Sequence, residues 1–363
     1  MVDTVEAAAY TVPTDAPESD GTLTWQSTTL VLVRVRSGTA TGLGWTYGAA
    51  ATAQVVEQQL AGLVTGRSAW DVPAANEAMS RAVRNAGRPG LIAGALSAVD
   101  IALWDLKARL LGLPLVRLLG ACRSDVPVYG SGGFTSYDDV QQDRQLRTWV
   151  EEQGIPRVKI KIGESWGQAE SRDRDRIARA RQSIGARTEL YVDANGAYSR
   201  KQAVRLAGHL AEQNVTWFEE PVSSDDLTGL AQIRAAVTTD VAAGEYGYSL
   251  PYFRQLLDAD AVDCAQADAT RCGGITVWLR VAALVEAAGL EISGHCAPHV
   301  HAHVAAAVPN LRHLEWFHDH VRIEQLLFDG VLDAAGGAIS PGAVGSPGLG
   351  LTFRTEAAEG YRV

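Results

Sequence analysis

Three acidic residues recur at an interval of 26 positions, each at the end of a short apolar run. They are Asp193 in ELYVDAN, Glu219 in VTWFEEP and Glu245 in DVAAGEY. One strand, one helix and two loops take about that many residues, and eight such units make a barrel of about 250 residues. The equal spacing therefore predicts that the three carboxylates lie side by side, at the carboxyl ends of consecutive parallel strands.

Three converging carboxylates indicate a site for a hard divalent cation. Negative charges packed together are costly unless a cation neutralises them. Mg²⁺ prefers oxygen ligands and keeps positions open for water or substrate. We therefore expect Mg²⁺ as the cofactor, with Asp193, Glu219 and Glu245 as its protein ligands.

Other polar residues stand at the predicted strand ends, about one strand-helix unit apart. They are Lys159 and Lys161 in VKIKIG, Asp268 in QADATRCGG, His295 in EISGHCAP and Glu315 in RHLEWF. The series of Lys-x-Lys, Asp, Glu, Glu, Asp, His and Glu resembles the enolase superfamily. More narrowly, it resembles the mandelate racemase subgroup of the mandelate racemase/muconate lactonizing enzyme family, over nearly the whole chain.

The resemblance implies an α/β fold, a modified TIM barrel of the (β/α)7β type with an N-terminal α+β capping domain. We expect the capping domain at residues 1–122, the barrel at 123–327 and a C-terminal segment at 328–363 that returns to the cap. The sequence supports this division, because TTLVLVRVRSG followed by ATGLGWTYG predicts a hairpin or meander. Apolar residues from Leu96 to Leu110, in steps of three and four, predict a helix. We expect structural roles for Asp100 and Asp105 in that helix.

The two lysines share one face of a strand, because the side-chain period of a strand is two. We expect Lys161 to be the base on one face of the substrate, with a pKa lowered by the neighbouring lysine and a nearby dication. Lys159 is expected to stay charged and to hold the substrate carboxylate. By resemblance, the first glutamate of FEEP, Glu219, is the ligand, and Glu220 points to the other side of the strand.

His295 and Asp268 are the predicted acid–base dyad on the opposite face, since a carboxylate fixes the tautomer of an imidazole and raises its basicity. Glu315 is expected at the substrate carboxylate, as a protonated or strongly hydrogen-bonded carboxyl, with an ion pair to a lysine as the alternative. Asn195 and His299 are the candidate substrate contacts. Zinc binding by HCAPHVHAH is the rival interpretation, which the oxygen-ligand site disfavours. His301 and His303 are expected to be structural, and His318 and His320 have no assigned role.

Two acid–base groups on opposite faces allow two reactions of a carboxylate substrate through an ene-diolate. One is dehydration of a monoacid sugar to a 2-keto-3-deoxy acid, and the other is racemisation or epimerisation. Dehydration is the commoner activity that the resemblance implies, and with Asn195 where some relatives have a histidine, His295 is the expected acid. In the family, cap segments set specificity, here 11–25 and 44–50, and neither contains Lys or Arg. This argues against a second carboxylate on the substrate.

Composition excludes other classes of partner. The formal net charge is −10, which disfavours nucleic acid and anionic membranes as partners. Four scattered cysteines, an N-terminus without a basic start and the absence of long apolar runs predict a reduced, cytoplasmic protein. The resemblance also implies a homo-oligomer.

Overall fold

The computed structural model describes residues 1–363, and its N-terminal part is a three-stranded antiparallel sheet. The strands are β1 (Thr4–Ser19), β2 (Thr24–Ser37) and β3 (Ala40–Tyr47), in the order β1-β2-β3. The meander of β2 and β3 was predicted. The segment 11–25, one of the two cap segments expected to set specificity, lies largely in β1. Its alternation is broken by Pro13 and Pro17, and the register with β2 shifts between Pro13 and Glu18.

Helices cover one face of this sheet. Helix α4 is the long apolar helix predicted from its spacing, and it packs on β3 at very short range. A Cβ on Gly44 would lie 2.2 Å from the carbonyl oxygen of Ala98, so only glycine allows this approach. The cap helices are α1 (Ala51–Val55), α2 (Ala61–Val64), α3 (Val72–Ala82), α4 (Leu91–Leu110) and α5 (Leu115–Leu119), with a π-helical turn at Val56–Leu60 between α1 and α2.

The two aspartates of α4 have structural partners. Asp100 is buried and accepts hydrogen bonds from the side chains of Asn76 and Thr276. Asp105 accepts from the backbone N–H groups of Leu43 and Leu349. Both carboxylates therefore join the cap to later parts of the chain.

Eight parallel strands form a closed barrel after the cap. Each strand pairs with the next in sequence, and the eighth strand pairs with the first, so the sheet has no free edge within the ring. The strands are β4 (Val126–Gly132), β5 (Arg157–Lys161), β6 (Glu189–Asp193), β7 (Val215–Glu219), β8 (Asp240–Ala243), β9 (Cys264–Ala267), β10 (Glu291–Gly294) and β11 (Leu311–Phe317). The prediction of a parallel barrel with an N-terminal cap is confirmed.

Helices alternate with these strands, and their apolar faces pack on the outside of the barrel. The helices are α6 (Asp139–Arg147), α7 (Glu164–Gly167), α8 (Glu170–Ile184), α9 (Arg200–Glu212), α10 (Leu227–Ala236), α11 (Leu250–Asp258), α12 (Gly274–Ala287), α13 (Pro298–Ala306) and α14 (His318–Leu327), with a π-helical turn at Thr148–Glu152 after α6. Helix α7 is a single irregular turn. None of the helices in the chain has the length and hydropathy needed to cross a lipid bilayer.

The C-terminal segment runs back to the cap. Phe353 packs on Tyr10 of β1, and the carbonyl of Leu351 accepts a hydrogen bond from Arg109 of α4. The elements are β12 (Phe328–Asp329), β13 (Ala338–Ile339), β14 (Thr352–Phe353), α15 (Thr355–Ala358) and a 3₁₀ turn (Glu359–Tyr361).

Candidate active site

The three carboxylates spaced by 26 residues meet at one end of the barrel. Asp193 and Glu219 are the last residues of β6 and β7 and lie opposite each other in register, and Glu245 follows the end of β8 by two residues. One oxygen from each carboxylate lies within 4.8 Å of the others, and all three residues are buried. The equal spacing in sequence thus becomes one compact group of oxygens.

This group fits a divalent cation. Burial and the neighbouring Asp193 raise the pKa of Glu219 to about 8, which reports the cost of crowding the three charges. Glu245 Oε2 has no hydrogen bond of acceptable geometry, although His295 Nε2 lies 3.1 Å away. A hard cation supplies both the missing charge and the missing partner.

Lys161 stands beside the carboxylates at the end of β5. Its Nζ donates to Asp193 Oδ2 at 2.5 Å, and the two residues are in register on adjacent strands. Burial alone would lower the pKa of Lys161, but the carboxylates of Asp193, Glu245 and Glu315 together raise it well above its ordinary value. The predicted lowering depends on Lys159 and on a dication that neutralises Asp193, so it stays a prediction for the metal-loaded site.

Lys159 lies deeper than predicted. Its ammonium contacts Glu219 at 2.6 Å and Glu315 at 2.7 Å, and the side chain is fully buried. It does not line the cavity above the carboxylates, whereas Lys161 does. The expected contact of Lys159 with a substrate carboxylate is therefore not what the structure shows. Its position is that of a buried counter-ion beneath the site.

Across the barrel mouth, His295 and Asp268 form the predicted dyad. His295 Nδ1 lies 2.8 Å from Asp268 Oδ2, and each residue directly follows a strand, β10 and β9 respectively. Burial alone would lower the pKa of His295, but the Cys296 thiol and the Glu245 carboxylate raise it well above its ordinary value. The other ring nitrogen, Nε2, lies 3.1 Å from Glu245 Oε2, on the side of the three carboxylates.

Glu315 bridges the two sides from β11. Its Oε1 accepts from Ser131 at 2.6 Å and pairs with Lys159, while its Oε2 accepts from the backbone N–H of Cys296 at 3.0 Å. Burial would raise the pKa of Glu315, but Lys159 lowers it well below its usual range. The strongly hydrogen-bonded carboxylate was predicted, and so was the ion pair.

Of the two candidate substrate contacts, Asn195 lines the cavity and His299 does not. Asn195 Oδ1 has no hydrogen-bond partner in the protein. His299 lies on α13, buried, with Nδ1 bonded to Glu324, and it does not line the cavity. The structure contradicts its prediction, because the loop after β10 is only three residues long and His299 already belongs to the helix.

The remaining histidines of HCAPHVHAH do not converge on one point. His301 Nε2 accepts from the backbone N–H of Ala269, and His303 Nδ1 accepts from that of Val116. Both are buried and serve to join helix α13 to its surroundings. This placement agrees with the structural roles expected for them and gives the zinc interpretation no support.

A cavity of about 420 Å³ lies over these groups, closed on one side by the cap. Tyr47 of β3 forms part of its wall and stacks on His320 with ring centroids 3.4 Å apart. The cap contributes Asp20, Trp25, Ser27, Thr28, Thr29, Tyr47, Gly48 and Ala49, and the barrel contributes Lys161, Asn195, Glu245, Tyr246, Arg271, His295, Cys296, Glu315, Phe317 and His320.

Sequence reasoning missed Arg271 in this wall. The Arg271 guanidinium lies 3.3 Å from Glu245 Oε1 and 3.5 Å from Asp268 Oδ2. It therefore links the carboxylate group to the dyad. Its signal was available in DATRCGG, three residues after Asp268. His320 was left without a role because it lies in a helix after the eighth strand, where strand-end reasoning does not reach.

Comparison with known proteins agrees with this geometry. Residues 4–120 match the family described as mandelate racemase/muconate lactonizing enzyme, N-terminal domain. Residues 141–358 match the family described as enolase C-terminal domain-like. Together the two matches cover the cap and the barrel.

Relatives with assigned names act on sugar acids. The chain is 34% identical over 307 residues to L-talarate/galactarate dehydratase of Salmonella typhimurium, covering 82% of this chain and 75% of the relative. It is 33% identical over 325 residues to 3,6-anhydro-alpha-L-galactonate cycloisomerase of Streptomyces coelicolor, covering 87% and 88%.

Solved structures share the whole architecture. A mandelate racemase/muconate lactonizing enzyme-like protein from Rubrobacter xylanophilus superposes with a TM-score of 0.96 at 50% identity, over 100% of this chain and 99% of the other. A racemase from Streptomyces coelicolor with bound magnesium gives a TM-score of 0.93 at 30% identity, over the full length of both chains. The chain belongs to the mandelate racemase/muconate lactonizing enzyme family of the enolase superfamily.

Proposed function

We propose that this protein is a Mg²⁺-dependent acid-sugar dehydratase that converts a monoacid sugar to a 2-keto-3-deoxy acid. The observation that carries the proposal is the cavity itself, where Lys161 and His295 line opposite parts of the wall above three converging carboxylates. A base on one side and an acid on the other are what removal of an α-proton and loss of a β-hydroxyl require.

Asp193, Glu219 and Glu245 would hold the cation. When bound, Mg²⁺ supplies a Lewis acid for the substrate carboxylate and neutralises the carboxylates that otherwise keep the proton on Lys161. Glu315 and the lysine beneath it, Lys159, hold the floor of the cavity in a fixed arrangement.

The residues move two protons and one hydroxyl. Lys161 Nζ accepts the α-proton, and His295 Nε2 donates a proton to the β-hydroxyl, which leaves as water. The carbon–carbon double bond formed between the α and β carbons gives an enol, and its tautomer is the 2-keto-3-deoxy acid. Asp268 keeps His295 in the orientation that presents Nε2 to the substrate.

The substrate is proposed to carry one carboxylate because of the lining of the cap. Ser27, Thr28, Thr29 and Tyr47 offer hydroxyl groups, and Asp20 is the one charged residue from the cap. Arg271, on the barrel side, is already engaged by Glu245 and Asp268. Hydroxyl donors without a free cation suit a neutral polyhydroxy chain and disfavour a second carboxylate.

The test is a screen of aldonic and aldaric acids in Mg²⁺, with semicarbazide detection of 2-keto acids and polarimetry on 2-hydroxy acids in parallel. We expect a keto-acid signal on an aldonic acid, abolished in Lys161→Ala and His295→Asn. Optical change without keto acid would replace dehydration by racemisation or epimerisation. Full activity in EDTA-treated enzyme would remove the metal from the mechanism.

A further inference from the structure

A second cavity, of about 490 Å³, adjoins the catalytic one. Asn195 and Tyr246 line both cavities, so the two spaces meet at these side chains. The second cavity lies between the cap turn at Thr22, the turn α7 and the loops after β7 and β8. No step of the proposed reaction uses it.

Aromatic side chains dominate one part of its wall. Trp166 is 61% exposed and Tyr246 is 40% exposed, and Tyr248 and Tyr252 lie beside them in the lining. The rest is polar, with Ser223, Ser224, Asp225 and Ser249. Flat aromatic faces next to hydroxyl and carboxylate groups suit a sugar ring, which has an apolar C–H face and a polar edge.

Trp166 is held in this position by the backbone. Ser165 and Trp166 have φ values of 56° and 59°, a left-handed conformation that bulky residues rarely adopt. The backbone N–H of Trp166 donates to the carbonyl of Gly21 at 2.8 Å. The cap turn that closes the catalytic cavity therefore also holds the backbone that carries the exposed indole.

Unpartnered polar atoms face the same space. Glu220 is 1% exposed and lines the second cavity, and its Oε1 has no hydrogen-bond partner in the protein. Asn195 Oδ1 is likewise unpartnered. Buried oxygens without donors are rare in folded proteins, and the hydroxyl groups of a sugar are suitable donors for both.

We propose that this second cavity is a carbohydrate subsite, and that the protein accepts a glycosylated sugar acid. The acid unit occupies the catalytic cavity, and the second sugar ring lies against Trp166, with its hydroxyl groups donating to Glu220 and Asn195. The inference rests on the proposed function only in placing a sugar acid in the catalytic cavity. Occupancy of the aromatic wall does not depend on which reaction follows.

The test compares aldobionic acids with their common parent. Maltobionate, cellobionate, lactobionate and melibionate are all glycosyl gluconates, so gluconate is the matched ligand without the second ring. Affinities are measured by calorimetry on the Mg²⁺-loaded Lys161→Ala variant, which we expect to bind without turnover. We expect at least one aldobionate to bind about tenfold more tightly than gluconate, the gain that stacking and hydrogen bonding of one ring supply.

Matched variants test whether Trp166 is the source of the preference for aldobionates. Adding Trp166→Ala should remove the tenfold preference while leaving gluconate affinity unchanged, and Trp166→Phe should restore part of it. Trp70→Ala, which removes a tryptophan that is 48% exposed on the cap, is the control and should retain the preference. Circular dichroism and sedimentation confirm the fold and the assembly state of each variant.

Several results would overturn the proposal. These are equal affinities for gluconate and all four aldobionates, no binding of any aldobionate, or a preference that survives Trp166→Ala. A change in assembly state on Trp166→Ala with the preference intact would assign Trp166 to a subunit contact. Failure of the keto-acid screen together with a Trp166-dependent preference would reject the dehydratase and keep the subsite.

Discussion

Two lysines separated by one residue have different surroundings in this site. Lys161 lines the cavity and contacts one carboxylate, whereas Lys159 lies beneath and contacts Glu219 and Glu315. The side-chain period of a strand places both on the inner face, but depth along the barrel axis separates them. At the scale of residues, the proposed base is thus the lysine at the surface of the site, and the other lysine balances charge beneath it.

Substitution of each lysine should therefore have a different effect. Lys161→Ala should lower kcat by about 10² to 10⁴-fold, the usual contribution of a general base, with little change in the free energy of unfolding measured in Mg²⁺. Lys159→Ala should cost about 3–5 kcal/mol of stability, because it leaves Glu315 buried without its counter-ion. Urea unfolding and steady-state kinetics on both variants check this, and equal stability losses would contradict it.

The buried carboxyl of Glu18 predicts a pH dependence of the protein's stability. Burial and the nearby Asp319 raise the pKa of Glu18 to about 9. The folded protein then holds a proton that the unfolded chain releases near pH 4.5, so stability falls as pH rises between about 4.5 and 9. Glu18→Gln removes this titration and can still accept the hydrogen bond of Trp25. We expect a higher Tm for the variant at pH 8 and a shrinking difference towards pH 5; a difference independent of pH would exclude the mechanism.

At the scale of elements, a buried carboxylate of the barrel also joins it to the cap. Glu324 of α14 accepts hydrogen bonds from Trp45 and Tyr47 of β3, each at 3.0 Å, and from His299 of α13. Tyr47 in turn stacks on His320 in the cavity wall. The same contact that docks the sheet therefore fixes the wall above the site.

Removal of that carboxylate should weaken docking and function together. Glu324→Ala leaves the buried donors of Trp45 and His299 and the half-buried hydroxyl of Tyr47 without an acceptor. Each buried donor left unpaired costs about 1–3 kcal/mol, so we expect a markedly lower free energy of unfolding and a raised KM. Glu324→Gln keeps an acceptor for Trp45 and Tyr47 and should retain most of both. Denaturant unfolding and steady-state kinetics on both variants measure the free energy of unfolding and KM. Equal behaviour of Ala and Gln would show that the hydrogen bonds to Trp45 and Tyr47 contribute little.

The residues at the strand ends were the easiest to predict from the sequence. A parallel barrel brings every strand's carboxyl end to one rim, so regular spacing sufficed to predict the grouping of Asp193, Glu219 and Glu245. Features that depend on long-range packing were not predictable in this way. The register between β1 and β2 shifts in a segment that contains two prolines. Arg271 reaches Glu245 and Asp268 from the loop after β9. His299 bonds to Glu324, which is 25 residues distant in sequence, and does not face the cavity.

At the scale of the whole molecule, the protein is acidic, and several of its negative charges lie close together in the site. The formal net charge is −10, and three of the carboxylates are buried together at the barrel mouth. Lys159 and Lys161 offset part of this charge, and a divalent cation would offset the rest. Stability and cation binding are therefore linked, since a ligand that binds only the folded state stabilises it by mass action.

Magnesium should raise the thermal stability of the protein whether or not a substrate is present. At a concentration about 100 times the dissociation constant, the linkage amounts to about 2.7 kcal/mol, which corresponds to a shift in Tm of a few degrees for a chain of this size. Differential scanning calorimetry in EDTA and in rising Mg²⁺ measures the shift directly. Glu219→Gln removes one charged ligand and should abolish most of it, while Glu220→Gln, whose side chain faces the second cavity, should retain it. A shift that is the same in all three proteins would mean that Mg²⁺ acts elsewhere on the surface, and it would remove the cation from the three carboxylates while leaving the barrel, the dyad and the cap contacts as described.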